Sequence, residues 1–83
     1  MAKKIEIYST PTCHYCHDAK EFLKSHGIEF IDYNVLEDST RRQELISKSK
    51  QMGVPFIVVT DENGKEESMV GYSEEKLASA VGL

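Results

Sequence analysis

The stretch Tyr8-Ser9-Thr10-Pro11-Thr12-Cys13-His14-Tyr15-Cys16-His17 decides how the rest of the chain is read. An alternating apolar run ends in it, a Ser/Thr/Pro loop follows, and two cysteines open a helical pattern. On a helix rising about 1.5 Å per residue, positions three apart share a face, with Cα atoms roughly 5 Å apart. That lies within the span a disulfide closes. Both cysteines of the chain are in this stretch. It reads as a dithiol that cycles between thiol and disulfide.

Working outward, residues 4–8 alternate, with Ile5 and Ile7 on one face, and predict a strand. From His14 to about His26 the apolar residues Tyr15/Cys16, Ala19 and Phe22/Leu23 have helical spacing, and Gly27 ends the run as a C′ residue. Residues 28–34 are rich in β-formers and predict a second strand. Strand, helix and strand with short connections make a βαβ unit, so these strands are expected to be parallel with a right-handed crossover. Thr40-x-x-Gln43 reads as a capping box opening a second helix, with Leu45, Ile46 and Met52 inward and Gly53 as the stop. Residues 54–60 form a short apolar strand. Asp61-Glu62-Asn63-Gly64 is a turn containing the Asn-Gly hairpin signal, and residues 65–70 return antiparallel. Ser73 is placed to cap a last helix, Glu74 and Glu75 suit the positive end of its dipole, and Leu77, Ala80 and Val81 face inward. The order β-α-β-α-β-β-α predicts an α/β sandwich around a four-stranded mixed sheet.

With 83 residues, residues 1–83 are expected to be a single domain, burying about 60–65% of the unfolded surface. The net charge of −4 argues against nucleic-acid and anionic-membrane partners, which attract basic patches. No apolar run approaches the ~20 residues of a membrane span. Met1-Ala2-Lys3-Lys4-Ile5-Glu6 has no apolar core of a signal peptide. The expectation is a cytoplasmic monomer, where paired cysteines are catalytic or metal-binding rather than structural. Cys13-His14-Tyr15-Cys16-His17 also spells the Cys-x-x-Cys-His of c-type haem attachment, with Met52 and Met69 imaginable as axial ligands. The strand-then-helix context and the missing export signal speak against it. A zinc or iron–sulfur module is the other reading, but two thiolates fall short of the four ligands wanted. No metal site is assigned.

The chain resembles a glutaredoxin across nearly its whole length. The residues that carry the resemblance are Tyr8-Ser9, Cys13-His14-Tyr15-Cys16 at a helix start, Gly53-Val54-Pro55 opening the third strand, and Gly71-Tyr72-Ser73 before the last helix. The resemblance implies the thioredoxin-like fold, strand order 2-1-3-4 with three flanking helices, and a cis Val54–Pro55 peptide. It also implies a thiol–disulfide oxidoreductase with no bound cofactor and glutathione as co-substrate, acting on glutathione or protein disulfides. The chain departs from the usual glutaredoxin pattern at four places. His14 replaces the Pro of Cys-Pro-Tyr-Cys, Ser9-Thr10-Pro11-Thr12 lacks the usual Lys, Gly53 replaces the Thr of Thr-Val-Pro, and Val70-Gly71-Tyr72-Ser73 replaces Gly-Gly-Cys-Asp. In these it looks like the glutaredoxin-like redoxins, some of which supply electrons to ribonucleotide reductase, and thioredoxin reductase is then an alternative partner.

Cys13, at the helix start, is expected to be the nucleophile, because unpaired backbone N–H groups and the dipole favour a thiolate there. Cys16, one turn in, is expected to resolve the mixed disulfide. His14 is a candidate for tuning the Cys13 thiolate, weighed against a solvated side chain; His17 and His26 read as surface residues. Tyr15 is implied by the resemblance to line the substrate groove. Val54, before Pro55, is expected to offer backbone groups to an extended substrate. Tyr72 and Ser73 stand at a helix start that suits a carboxylate. Arg41 and Arg42 oppose the dipole of their helix, which hints at an anionic ligand, or else at pairing with Glu37, Asp38 or Glu44.

Overall fold

The computed structural model describes residues 3–51 and 53–82. The elements are β1 (Lys4–Ser9), α1 (His14–Ser25), β2 (Ile31–Asn34), α2 (Ser39–Ser49), β3 (Phe56–Thr60), β4 (Glu66–Val70) and α3 (Glu74–Val81). They build one four-stranded sheet in the order β2-β1-β3-β4. β1 and β2 are parallel, with Tyr8 opposite Tyr33. β3 runs antiparallel to both β1 and β4, with Phe56 opposite Tyr8 on one side and Val70 on the other. This is the thioredoxin-like arrangement the sequence led us to expect.

Strand alternation sorts the core into two layers. Ile5 and Ile7 of β1 join Ile57 and Val59 of β3 beneath Ala19 and Leu23 of α1 and Leu77 and Ala80 of α3. Tyr8, Phe56 and Val58 point the other way and pack with Val35 and with Leu45 of α2. Covered on both faces, β1 and β3 are buried at nearly every position, as central strands must be. Two of those buried residues are polar, Ser9 and Glu6, and Glu6 accepts a 2.7 Å hydrogen bond from the Tyr33 hydroxyl.

α1 ends as its sequence dictates. Gly27 has φ +68, its N–H bonds the Lys24 carbonyl and the Ile28 N–H bonds the Leu23 carbonyl. These are the paired bonds of a Schellman stop, and the positive φ is what calls for glycine. Ser73 caps α3, its Oγ accepting from the Lys76 N–H at 3.4 Å.

Several boundaries differ from the sequence expectation. α2 is capped by Asp38, whose carboxylate accepts from the Arg41 N–H at 3.1 Å, so Thr40 lies inside the first turn. An aspartate cap combines the hydrogen bond with favourable charge at the dipole's positive end. The helix stops at Lys50, in the left-handed region at φ 62 with its N–H on the Ile46 carbonyl, three residues before Gly53. Ile46 is exposed, because its neighbour Leu45 takes the face toward the sheet. Met52, expected inward, lies outside the described residues. β2 is shorter than expected, though Ile28 and Phe30 still pack against the core. The hairpin loop spans residues 61–65, one residue longer than the expected turn over residues 61–64. Asp61 organises it, its carboxylate accepting from the Asn63 and Lys65 N–H groups at 2.9 Å each.

Candidate active site

The topology brings three distant segments to one edge of the sheet. β1 ends at Ser9, while β3, antiparallel and paired Tyr8 to Phe56, begins there; β4, paired Phe56 to Val70, ends there. The loop to Cys13, the Val54–Pro55 segment and the Gly71–Ser73 segment therefore emerge together. The Pro55 carbonyl accepts a 2.8 Å bond from the Gly71 N–H, which ties two of them directly. The Val54–Pro55 peptide is cis.

Cys13 is the N-cap of α1, with extended backbone at φ −80 and ψ 112. Its N–H bonds the Thr10 carbonyl at 3.2 Å, which closes the turn through Pro11. Cys13 Sγ accepts a 3.0 Å hydrogen bond from the Cys16 N–H. A cysteine thus occupies the position where Ser, Thr or Asp usually satisfies an orphan donor, and negative charge on that sulfur meets an N–H and the positive end of the dipole. Cys13 and Cys16 are joined as a disulfide, with Cα atoms 5.2 Å apart. Cys16 is fully buried, whereas Cys13 is half-buried, so an incoming group reaches Cys13. The approach to the loop is braced from below. Ser9 Oγ and Lys20 Nζ hold the two oxygens of Asp32, at 2.6 and 2.9 Å.

His14 is exposed, and its Nε2 lies 3.4 Å from Asp18 Oδ2, one turn on. Its ring meets the edge of Tyr15 at 5.9 Å between centroids. Tyr15 is 62% exposed beside the dithiol, which is unusual for so large a ring and leaves it free to contact a substrate. Val54 and Tyr72 are half-buried and Pro55 is buried. The Tyr72 ring packs 6.4 Å from Phe22. Burial, then the charges of Glu74 and Asp18, raise the Tyr72 phenol above its usual pKa. Those carboxylates belong to a cleft of about 490 Å³ lined by Asp18, Glu21, Phe22, Ser25, Tyr72 and Glu74. Ser73 serves as a cap, and Glu74 and Glu75 fill the first turn of α3.

Arg41 is spoken for. Its Nη1 lies 2.8 Å from Glu44 Oε1, and its guanidinium stacks 4.1 Å above the Tyr33 ring. Arg42 donates to the Val35 carbonyl at 3.4 Å. Arg41 thus takes the pairing alternative with Glu44, and Arg42 holds a backbone carbonyl instead of one of the three carboxylates. His17 and His26 are exposed, His26 lying against Phe22 at 4.6 Å. Met69 packs against the core. Among the described residues, no three His, Cys, Asp or Glu side chains are grouped so as to hold a metal ion. Among the described residues, no helix is long and apolar enough to cross a membrane. Sequence reasoning passed over Asp18, whose i, i+4 spacing from His14 was available, and Gln51, which carried no local signal.

The family model described as Glutaredoxin matches residues 5–63, from the first buried strand residue to the β3–β4 turn. The chain belongs to the glutaredoxin family. Among its relatives, a glutaredoxin-like 8.6 kDa protein of Clostridium pasteurianum is 57% identical over 53 residues, 64% of this chain and 71% of the relative. Glutaredoxin 3 of Escherichia coli is 38% identical over 55 residues, 66% of each chain. The alignments thus span about two thirds of these relatives' length. The crystal structure of a glutaredoxin from Archaeoglobus fulgidus superposes with a TM-score of 0.78 at 27% identity, covering 93% of this chain and 84% of that one. As a glutaredoxin-family protein the chain is a thiol–disulfide redox protein, with Cys13 and Cys16 as its Cys-x-x-Cys pair.

Proposed function

We propose that this glutaredoxin-family protein reduces glutathione and protein mixed disulfides in the cytoplasm by a two-cysteine cycle, as a single domain and a monomer, with glutathione as reductant. The Cys13 thiolate attacks a substrate disulfide, forming a mixed disulfide and releasing one substrate thiolate. The Cys16 thiolate then attacks Cys13 Sγ, releases the second substrate thiolate and closes the Cys13–Cys16 bond. Two electrons pass to the substrate, and two thiols of the reductant restore the dithiol. The observation that carries this is the asymmetric pair: an accessible Cys13 at the N-cap, receiving the Cys16 N–H at 3.0 Å, bonded to a fully buried Cys16. A Cys13 thiolate so stabilised is the better leaving group during re-reduction, when a second glutathione attacks the glutathione sulfur of the Cys13–glutathione mixed disulfide and releases glutathione disulfide, which favours turnover. Tyr15, Val54, Pro55, Tyr72 and Ser73 form the groove in this reading, and His14 tunes Cys13.

A second electron source, a thioredoxin-reductase-type flavoenzyme, is favoured by the charges around Tyr72. The chain's own Glu74 and Glu75 occupy the first turn of α3, and Asp18 and Glu21 rim the adjoining cleft. Glutathione brings two carboxylates to such a surface. Parallel assays separate the donors: a small mixed disulfide with glutathione and glutathione reductase, and an insulin-type disulfide with thioredoxin reductase. Turnover with glutathione alone supports the first reading, and turnover with thioredoxin reductase alone replaces it. No turnover in either refutes the oxidoreductase proposal.

A further inference from the structure

We infer that Gln51 is a positioning residue for substrate docking, acting through Gly53 on the backbone of Val54. The inference rests on the disulfide-reductase reading above. The Gln51 carboxamide grips both backbone groups of Gly53. Its Oε1 accepts from the Gly53 N–H at 2.6 Å, and its Nε2 donates to the Gly53 carbonyl at 3.3 Å. The same Nε2 reaches Ser49 Oγ at 3.2 Å, and Ser49 Oγ donates to the Leu45 carbonyl at 2.6 Å. The clasp is thereby anchored to the last turn of α2.

A side-chain amide offers an N–H donor and a carbonyl acceptor as a peptide group does, with a second N–H left over for Ser49. Gln51 therefore satisfies Gly53 as a neighbouring strand would. Val54 makes none of the backbone hydrogen bonds among the described residues, and the Pro55 carbonyl is already held by the Gly71 N–H. Of the residues leading into β3, Gly53 and Pro55 have partners among the described residues and Val54 has none there. An extended substrate is thus offered one residue to pair with, in one register.

Gly53 bears on the same contact from its own side. Its φ is not in the left-handed region, so backbone conformation does not call for glycine. A Cβ built there would instead collide with Gln51 Oε1 and lie 3.3 Å from Gln51 Cδ. The missing side chain makes room for the amide. Glycine at 53 and glutamine at 51 are two halves of one device.

The test compares Gln51→Ala, Gly53→Ala and the double variant in the insulin-type or mixed-disulfide assay that turns over the unaltered protein. Losing one such clasp is expected to raise KM about tenfold, with kcat and the pH profile of Cys13 alkylation by iodoacetamide unchanged. Gly53→Ala displaces the amide and should match Gln51→Ala, and the double variant should be no worse than either single. An unchanged KM, a multiplicative double variant, or a shifted alkylation profile overturns the inference. An unaltered protein inactive with every donor refutes the parent reading instead, so the two failures are distinguishable.

Discussion

Tyr8→Phe removes a single oxygen from the face of the sheet beneath α2, and its consequence depends on pH in a way that can be worked out. Tyr8 is fully buried, and its hydroxyl donates to Glu44 Oε1 at 3.1 Å. The ring packs at 5.0 Å from Tyr33 and 5.6 Å from Phe56, contacts that phenylalanine keeps. At neutral pH the change costs one hydrogen bond to a carboxylate that retains Arg41 and some water, about 1–1.5 kcal/mol. Burial first, then the bond to Glu44 and the charges of Glu44 and Glu6, hold the phenol well above its usual pKa. For an acid raised on folding, the unfolded chain ionises first, so stability falls as pH rises past the unfolded value near 10. Between pH 9 and pH 11 the unaltered protein loses about 1.4 kcal/mol through Tyr8 alone, whereas the variant has no such group to ionise. Tyr33 and Tyr72, raised in the same direction, are common to both proteins and cancel to first order. The assay is urea unfolding by circular dichroism from pH 7 to pH 11, with the disulfide kept closed so that no thiol titrates. The stability gap should close, and nearly vanish, by pH 11. A gap that stays constant refutes the reasoning.

Cys16→Ser retains the backbone N–H that meets Cys13 Sγ, so Cys13 alkylation should keep its rate while a Cys13 mixed disulfide with a protein substrate accumulates on a denaturing gel; its absence contradicts the resolving role. His14→Pro removes the imidazole paired with Asp18 and should move the Cys13 iodoacetamide rate profile to higher pH; a profile that stays put ends the tuning assignment. Leu23→Ala opens a hole between α1 and the sheet, where Leu23 is fully buried, and should cost about 2–5 kcal/mol in urea unfolding.

What could be read from the sequence was local. The βαβ unit followed from the periods around Ile5 to Tyr33, Gly27 announced its own Schellman stop, and Ser73 its cap. The Cys-x-x-Cys spacing gave the 5.2 Å pair. The misreadings arose where two local signals competed or none existed. Asp38 and Thr40 are both capping residues, and the charged one prevailed. Lys50 in the left-handed region has no sequence signature, so the expected stop falls at Gly53, whose backbone is instead held by the Gln51 amide. The groove needed long-range geometry: only the pairing of β1, β3 and β4 brings residues 13, 55 and 71 to one edge. The polar lattice of Glu6, Tyr33, Arg41, Glu44 and Tyr8 joins three elements, and no periodicity in any one of them foretells it.

The complete burial of Cys16 also makes the molecule its own gauge of breathing. In a Cys13→Ser chain, a bulky thiol reagent meets Cys16 only while the first turn of α1 is lifted from the sheet. Where reclosing is fast, the labelling rate relative to an unprotected thiol is the equilibrium constant of that opening. A sulfur placed for electron transfer thus reports, without any added probe, how often the redox helix peels away, and whether it does so alone or only when the whole sheet unravels.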